Sequence, residues 1–308
     1  MKILVTGGAG YIGTELSRLL VNHPEVDELI VYDNLSRANY NLFLGRPTPN
    51  GHKIKFIKGD ILDGRKLSKA LEGVDVVYHF AAHVSTPLQN NEVSTFEQVN
   101  HWGTANVVDA VEASDSVKMF VYLSSVSVYG DHTDQMLTEE TAPMPKSLYA
   151  VSKFRGEEHV NRLKDKIRTF IIRSGNVYGY SKTMRFDAVI NRFMFESHYS
   201  NRIQIHGDGK QRRAFIHVSN LVNVLYQMIR SKTPSGVYNM VEKNLQVLDI
   251  VDVLKELYPS LEFIFVNQHL SLKELMVSPD SKLWEYVKPL ENRPLQEELE
   301  DFRREFTM

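Results

Sequence analysis

Lys2-Ile3-Leu4-Val5-Thr6-Gly7-Gly8-Ala9-Gly10-Tyr11-Ile12-Gly13 opens the chain with a short apolar strand pattern that runs through glycines at 7, 10 and 13 into an amphipathic stretch. Glycines placed between a strand and a helix let backbone N–H groups and the helix N-terminus meet a pyrophosphate that side chains would hold away. A glycine-rich turn without ligand is the competing explanation, because the motif alone is a weak signal. The context favours the ligand. Asp33 follows Gly13 by twenty residues, at the end of the next strand pattern, where a carboxylate accepts both ribose hydroxyls of an adenosine and repels a 2′-phosphate. The cofactor expected is NAD, held by Gly7, Gly10, Tyr11, Ile12 and Gly13 at the loop and by Asp33 and Asn34 at the ribose. Arg37 is the counter-signal, since a guanidinium four residues beyond Asp33 would attract the extra phosphate of NADP. After the third strand pattern, Asp60 and Ile61 stand where they face the adenine. A helix N-cap is the plainer role for Asp60.

Outward from the loop, short apolar runs alternate with longer amphipathic stretches, the pattern of βαβ units that build a parallel sheet covered on both faces. Strands are predicted at Lys2–Thr6, Glu28–Asp33, Lys53–Lys58, Val74–Phe80, Val117–Ser124 and Arg168–Ser174. Helices are predicted at Tyr11–Val21, Arg65–Glu72, Ser94–Ala113 and Ser147–Leu163. Six strands in this order make an α/β doubly wound (Rossmann) sheet. After Gly175 the rhythm changes. An aromatic and basic stretch, Arg185–Tyr199, leads to a polar turn at Gly207–Lys210, a strand at Ala214–Val218, and helices at Asn220–Arg230 and Val247–Tyr258. The expected organisation is a dinucleotide domain over 1–174, rejoined by part of 211–235, and a smaller substrate lobe within 175–308. Gly45–Gly51 reads as a surface loop.

The 308 residues, 43% hydrophobic and 24% charged with a formal net charge of −2, describe an ordinary globular chain. Neither nucleic acid nor a membrane surface is called for. With no cysteine, disulfides, thiolate metal sites and cysteine nucleophiles drop out, so redox chemistry has to come from a cofactor. No metal site is expected. The immediate start of the first strand predicts no signal peptide, no apolar run approaches a membrane span, and a cytoplasmic location is the default expectation.

Tyr149-Ala150-Val151-Ser152-Lys153 sets a phenol and an ammonium one helical turn apart on the same face. A cation beside a phenol lowers its pKa and makes a usable base. The spacing is common by chance. Its weight comes from Leu123-Ser124-Ser125-Val126-Ser127-Val128-Tyr129-Gly130, hydroxyls at the carboxyl end of the fifth strand, the edge where doubly wound sheets put ligands.

The glycine loop, Asp33, His79-Phe80-Ala81-Ala82, Asn100, the serine cluster and Tyr149/Lys153 together resemble the extended short-chain dehydrogenase/reductases, and among them the nucleotide-sugar epimerases and dehydratases. The resemblance spans nearly the whole chain, most clearly to His217. It implies that Tyr149 is the acid/base on a sugar hydroxyl, that Ser125 helps pass the proton, and that Lys153 holds the nicotinamide ribose and tunes Tyr149. It further implies that Phe80, Ala81 and Ala82 line the cofactor, that Ser124 packs beside it, and that Asn100 steadies it, a buried structural amide being the competing role. Within the family, 4,6-dehydratases carry an acidic pair just after the serine or threonine, and decarboxylases a glutamate. Here those places are Val126 and Ser127, which disfavours both reactions. A 4-epimerase needs only Tyr149 and NAD, with hydride leaving C4 and returning to the other face, and a 4-keto reductase using NAD(P)H would employ the same residues. A non-catalytic NAD(P)-sensing protein is the alternative from another class.

For a nucleotide-diphosphate sugar, the resemblance carries Asn176, in Arg173-Ser174-Gly175-Asn176-Val177-Tyr178-Gly179, and Arg213, in Gln211-Arg212-Arg213-Ala214-Phe215, onto the diphosphate; a turn residue after the sixth strand is the competing role for Asn176, and a solvated surface arginine that for Arg213. His83, Ser85 and Thr86 after the fourth strand stand where they could touch the hexose, loop capping being an equal alternative, and Ser85 is taken as the substrate contact. The chain departs from the family pattern at Ala214 and at Ser219-Asn220, where acids are usual, and Lys273-Glu274-Leu275 is a poor stand-in for the usual basic motif. The resemblance also implies a homodimer packed through Ser94–Ala113 and Ser147–Leu163.

Overall fold

The computed structural model describes residues 1–44, 48–84, 93–130, 135–267 and 274–307. A seven-stranded, wholly parallel sheet runs in the order β10-β6-β5-β4-β1-β2-β3. Its strands are β1 (Lys2–Thr6), β2 (Glu28–Asp33), β3 (Ile54–Lys58), β4 (Val76–His79), β5 (Met119–Ser125), β6 (Arg168–Ser174) and β10 (Gly236–Met240). Burial on both faces demands continuous apolar strands. Leu4, Val5, Val31, Val77, Phe120 and Ile172 answer it, each essentially inaccessible. Helices α1 (Tyr11–Leu20), α2 (Gly64–Ala70), α4 (Gly103–Glu112) and α5 (Leu148–Val160) cover the faces, leaving one apolar core on each side of the sheet. The strand order reverses beside β1, which pairs with β2 on one side and β4 on the other. The crevice at the carboxyl ends of such neighbours is where open α/β sheets take their ligands.

The remaining elements follow β6 in the chain. They are β7 (Asn176–Tyr178), α6 (Val189–Ser200), β8 (Arg202–His206), β9 (Arg212–His217), α7 (Val218–Gln227), β11 (Lys243–Gln246), α8 (Val247–Leu257), β12 (Glu262–Val266) and α9 (Leu295–Arg304). β11, β9 and β7 form a three-stranded sheet and β12 pairs with β8. A third apolar core joins α6, α8 and α9, while α7 packs into the core of the main sheet.

Four predicted features change. The sheet has a seventh strand, β10: only five residues long and interrupted by Asn239, it lacks the apolar run by which the other strands are read. The helix expected over Ser94–Ala113 is divided into α3 (Val93–Thr95), a π-helical segment Phe96–Trp102, and α4; a wider turn of this kind inserts an extra residue and re-aims its side chains. The strand expected to reach Val218 ends at His217, whose ring accepts the Ser219 N–H and caps α7. α2 is capped by Asp63, which accepts from Lys66 N at 3.0 Å, so the capping role weighed for Asp60 belongs to its neighbour. Of the loop expected at Gly45–Gly51, residues 45–47 lie outside the described set.

Candidate active site at the carboxyl edge of the sheet

The phosphate loop is built by three glycines with different tasks. Gly7 turns the chain at φ +68°, and a Cβ there would stand 2.6 Å from the Ala81 backbone nitrogen. A Cβ on Gly13 would fall 2.4 Å from the Gly7 carbonyl oxygen and 2.6 Å from the Gly8 Cα, so α1 crosses the loop as closely as backbones allow. Gly10 differs. Beyond the Gly7 oxygen at 3.1 Å, a Cβ there would meet nothing, and as N-cap of α1 it brings no side chain to the first-turn N–H groups. Tight turn, open approach and close helix packing are the three requirements of a dinucleotide loop, and bare N–H groups at a helix start attract phosphate. Tyr11 is buried and Ile12 half-buried in that first turn.

Asp33 closes the loop from β2. Its carboxylate accepts the N–H of Ala9 at 3.1 Å and of Leu35 at 2.8 Å, leaving two of about four lone-pair positions for ribose hydroxyls. Burial raises its pKa, and the two backbone bonds oppose that rise. Asn34 donates to Asp60 at 3.0 Å, and Asp60 also accepts from Leu62 N at 2.9 Å, which joins the ends of β2 and β3; Ile61 is buried and lies against Gly103. Arg37 is engaged elsewhere than the ribose acid. It donates to the Val84 carbonyl at 2.6 Å, and it acts electrostatically on the Tyr149 phenol. The feature that favoured NADP is thus directed at the other end of the cleft.

Phe80, Ala81 and Ala82 follow β4, with Phe80 N bonded to the Thr6 carbonyl and Ala81 N to the Thr6 hydroxyl. His79, fully buried beneath them, meets the Thr6 hydroxyl at 2.7 Å and the Thr104 hydroxyl at 2.9 Å. Burial, with Lys153 adding repulsion, pushes its pKa down to about 3. The unfolded chain therefore binds a proton near pH 6.5 that the native state refuses until about pH 3, so stability falls as pH drops through that window, by on the order of 4 kcal/mol from this residue. Replacing His79 with Gln is expected to reduce the acid sensitivity of the urea midpoint between pH 7 and 4. An unchanged acid dependence in the variant would assign it to other groups.

Asn100, from the π-helical segment, is wholly buried. It accepts from His83 N at 2.7 Å and donates to the His83 carbonyl at 2.9 Å and the Ser152 hydroxyl at 3.0 Å. It ties the loop after β4 to α5. Ser85 and Thr86 lie outside the described residues.

On α5, Ser147 caps the first turn by accepting from Ala150 N. Tyr149 is half-buried and its phenol shares a hydrogen bond with Ser125, which ends β5 and caps the turn Val126–Tyr129. Burial raises the phenol's pKa; Arg185, Ser125 and Arg37 act to lower it. The cations Arg185 and Arg37 that act to lower it come from loops distant in sequence. The Lys153 ammonium, buried, lies 4.3 Å from the centre of the Tyr122 ring. Burial brings its pKa down to about 7 against the opposing pull of Glu157. Ser124, expected beside the cofactor, donates to Glu157 at 2.5 Å. Arg173 grips the same carboxylate with two bonds of 3.0 and 2.7 Å.

Past the edge, Asn176 is exposed at the start of β7 and donates to the Ala214 carbonyl at 3.0 Å. Arg213 stands on the adjoining β9, half-buried and in register with Leu245. The two are brought close by the small sheet. Tyr11 donates to the Gly179 carbonyl at 2.5 Å and Thr183 to the Gly10 carbonyl at 3.2 Å, so the segment after β7 is fastened across the start of α1. The acids missing at Ser219-Asn220 have a substitute: Glu242 accepts from His217 N and the Asn220 amide, each at 2.5 Å. Lys273 lies outside the described residues; Leu275 donates its N–H to the Arg212 carbonyl. Glu157, Arg173, Arg185 and Glu242 escaped the sequence reading. Only Glu157 left a signal, falling four residues after Lys153 on the helix face of Tyr149.

Among the described residues, no helix is long and apolar enough to cross a membrane, and no group of three or more His, Asp or Glu could hold a metal ion. A model of the NAD dependent epimerase/dehydratase family matches residues 3–240. A dTDP-D-glucose 4,6-dehydratase of Mus musculus is 34% identical over 263 residues, 83% of this chain and 72% of that protein. An uncharacterized UDP-glucose epimerase, YtcB, of Bacillus subtilis is 32% identical over 72% of this chain and 70% of its own length. The crystal structure of a UDP-glucuronic acid 4-epimerase from Bacillus cereus, in complex with UDP-glucuronic acid and NAD, superposes with a TM-score of 0.85 at 26% identity, covering 99% of this chain and 98% of that one.

Proposed function

We propose, for a chain that belongs to the NAD-dependent epimerase/dehydratase family and uses NAD as its cofactor, that it is a nucleotide-sugar 4-epimerase. One observation carries the choice: the turn that follows Ser125, the residue hydrogen-bonded to Tyr149, is Val126-Ser127-Val128-Tyr129 and carries no carboxylate. Elimination of water requires a further acid/base pair at the sugar; taking a proton from one hydroxyl and restoring it requires Tyr149 and Ser125 alone. The dehydratase relative therefore shares ancestry with this chain and, on this reading, a different reaction.

The residues divide the work. Lys153 would hold the nicotinamide ribose, Asp33 the adenosine ribose, and the Gly7–Gly13 loop the pyrophosphate. Asn176 and Arg213 hold the diphosphate of the substrate, and Ser85 contacts its hexose. Bound NAD supplies the hydride acceptor for C4 and the source from which hydride returns. Arg185 and Arg37 both act on the Tyr149 hydroxyl, and Asp187 offsets them through its paired bonds to Arg185. Two guanidiniums against one carboxylate leave excess positive charge at the reacting end of the sugar, which favours an anionic hexose such as the glucuronic acid bound by the B. cereus relative. A charge-assisted contact of this kind is worth about 1.5–3 kcal/mol, so kcat/KM for a UDP-hexuronate is expected to exceed that for the matching UDP-hexose by roughly tenfold or more.

NMR of the purified protein with UDP-, dTDP-, GDP- and CDP-hexoses and UDP-glucuronic acid, without added cofactor, tests the reading. Inversion at C4 is expected. A 4-keto-6-deoxy product would make it a dehydratase, and turnover only of 4-keto sugars with NADH or NADPH a reductase. The same reading includes a homodimer formed through the face of the π-helical segment and α5, where Trp102 is 57% exposed; a monomeric mass near 35.4 kDa by light scattering at working concentration would refute that part.

A further inference from the structure

Tyr149, Lys153 and Glu157 lie at successive four-residue steps on one face of α5, and the third member is held harder than either of the others. Glu157 is 2% and Arg173 5% exposed, and their two parallel bonds are joined by the Ser124 hydroxyl at 2.5 Å. Ser124 and Arg173 are register partners on β5 and β6, so the carboxylate is clamped by two adjacent strands at the carboxyl edge. Arg173 also lies 4.9 Å from the centre of the Tyr129 ring, in the turn that begins at Ser125. A buried ion pair is rarely a gain in stability over well-packed apolar residues, which leaves its position and charge to be explained.

We propose that Glu157, clamped by Arg173 and Ser124, is a positioning residue that sets the seating of α5 on the sheet and keeps the Lys153 ammonium charged beneath the cofactor site. The inference rests on the reading of Lys153 as the residue that holds the nicotinamide ribose. The groups facing that ammonium leave Glu157 as its counter-charge. From β5, Tyr122 lies under it and donates its hydroxyl to the Lys153 carbonyl at 3.3 Å. From β4, His79 faces it as a neutral ring bonded to Thr104 of α4. Asn100 of the π-helical segment is uncharged, Arg173 of β6 is a second cation, and Tyr149 on α5 itself is a neutral phenol held up by burial. Burial works to strip the proton from Lys153, and Glu157 is the group that opposes it.

NAD binding measured by calorimetric titration across pH 5.5–9, with NMR titration of the Lys153 amine, tests the proposal without depending on turnover. Affinity in the natural protein is expected to weaken as pH rises through the Lys153 pKa. In Glu157→Gln the weakening should begin roughly one pH unit lower, corresponding to about a tenfold loss of affinity near pH 7.5, while Glu157→Asp restores most of the natural profile. Should Glu157→Gln fail to fold with Arg173 left unpaired, the E157M/R173M double variant keeps the packing and removes both charges; because the repulsion from Arg173 goes with the attraction of Glu157, an acid-ward shift is still expected but a smaller one. Unshifted NAD and Lys153 profiles in a folded variant would overturn the inference. A shifted profile in a protein that leaves every nucleotide sugar unchanged would sink the epimerase reading alone.

Discussion

Tyr149→Phe is expected to reduce kcat for C4 inversion by about a thousandfold, within the range by which positioned acid/base groups accelerate reactions, while NAD affinity stays within about twofold. The phenol's hydroxyl bonds Ser125 and lies under the influence of Arg185 and Arg37, and removing it takes away the proton acceptor without touching the phosphate loop or Asp33. Because burial lifts the phenol's pKa in the protein alone, the site as it stands holds a poor base. Activation has to come from cations, and the pH profile should report this. Arg185→Gln or Arg37→Gln removes a lowering influence, so the alkaline-going limb of activity should move to higher pH in either variant. A Tyr149→Phe enzyme that retains a tenth or more of its turnover would mean that another group takes the proton.

Gly7→Ala is expected to weaken NAD binding at least a hundredfold and to lower stability by about 3 kcal/mol. Two costs combine. A left-handed backbone costs a non-glycine residue roughly 1–2 kcal/mol, and the new Cβ would stand 2.6 Å from the Ala81 nitrogen and 2.8 Å from the Ala81 Cα and Phe80 carbonyl carbon. These are backbone atoms at the end of β4, so relief requires moving the loop away from the cofactor. Gly73 provides the matched comparison, having the same φ of +68° with nothing within 4 Å of where a Cβ would stand. Gly73→Ala should therefore carry only the conformational strain and leave NAD affinity unchanged. Equal effects at the two positions, measured by urea unfolding and NAD titration, would remove close backbone approach from the account of the loop.

The elements most legible before folding were those whose chemistry is local. A strand, a turn that needs glycine, and a helix start follow one another within residues 2–13, and each is dictated by its own residues. The apolar runs of β1, β2, β4 and β6 are continuous because both faces of the sheet are covered, and their limits come within two residues of those predicted. β10 was hidden because Gly236-Val237-Tyr238-Asn239-Met240 becomes a strand through its pairing with β6, a partner more than sixty residues away in sequence. The π-helical turn at Phe96–Trp102 was hidden for a related reason. Its periodicity differs little from that of an α-helix, and the wider turn is realised where Asn100 finds the His83 backbone and Ser152.

The same division applies to the candidate site. Tyr149 and Lys153 share a face because a helix repeats every 3.6 residues, and that much is written in their spacing. What surrounds them is not. Arg37, Arg185, Ser125 and Arg173 come from four separate segments, and whether a phenol is a base or an ammonium keeps its proton depends on burial and on charges brought near by the fold. Sequence alone determined the cradle for the dinucleotide, the parallel sheet and the pair on α5, since these follow from backbone geometry over short stretches. That Arg37 turns from the ribose toward Tyr149, that Ser124 serves Glu157 and that Glu242 supplies the acid absent beside His217 became visible once the chain was folded, because electrostatic and hydrogen-bond partners are chosen by proximity in space.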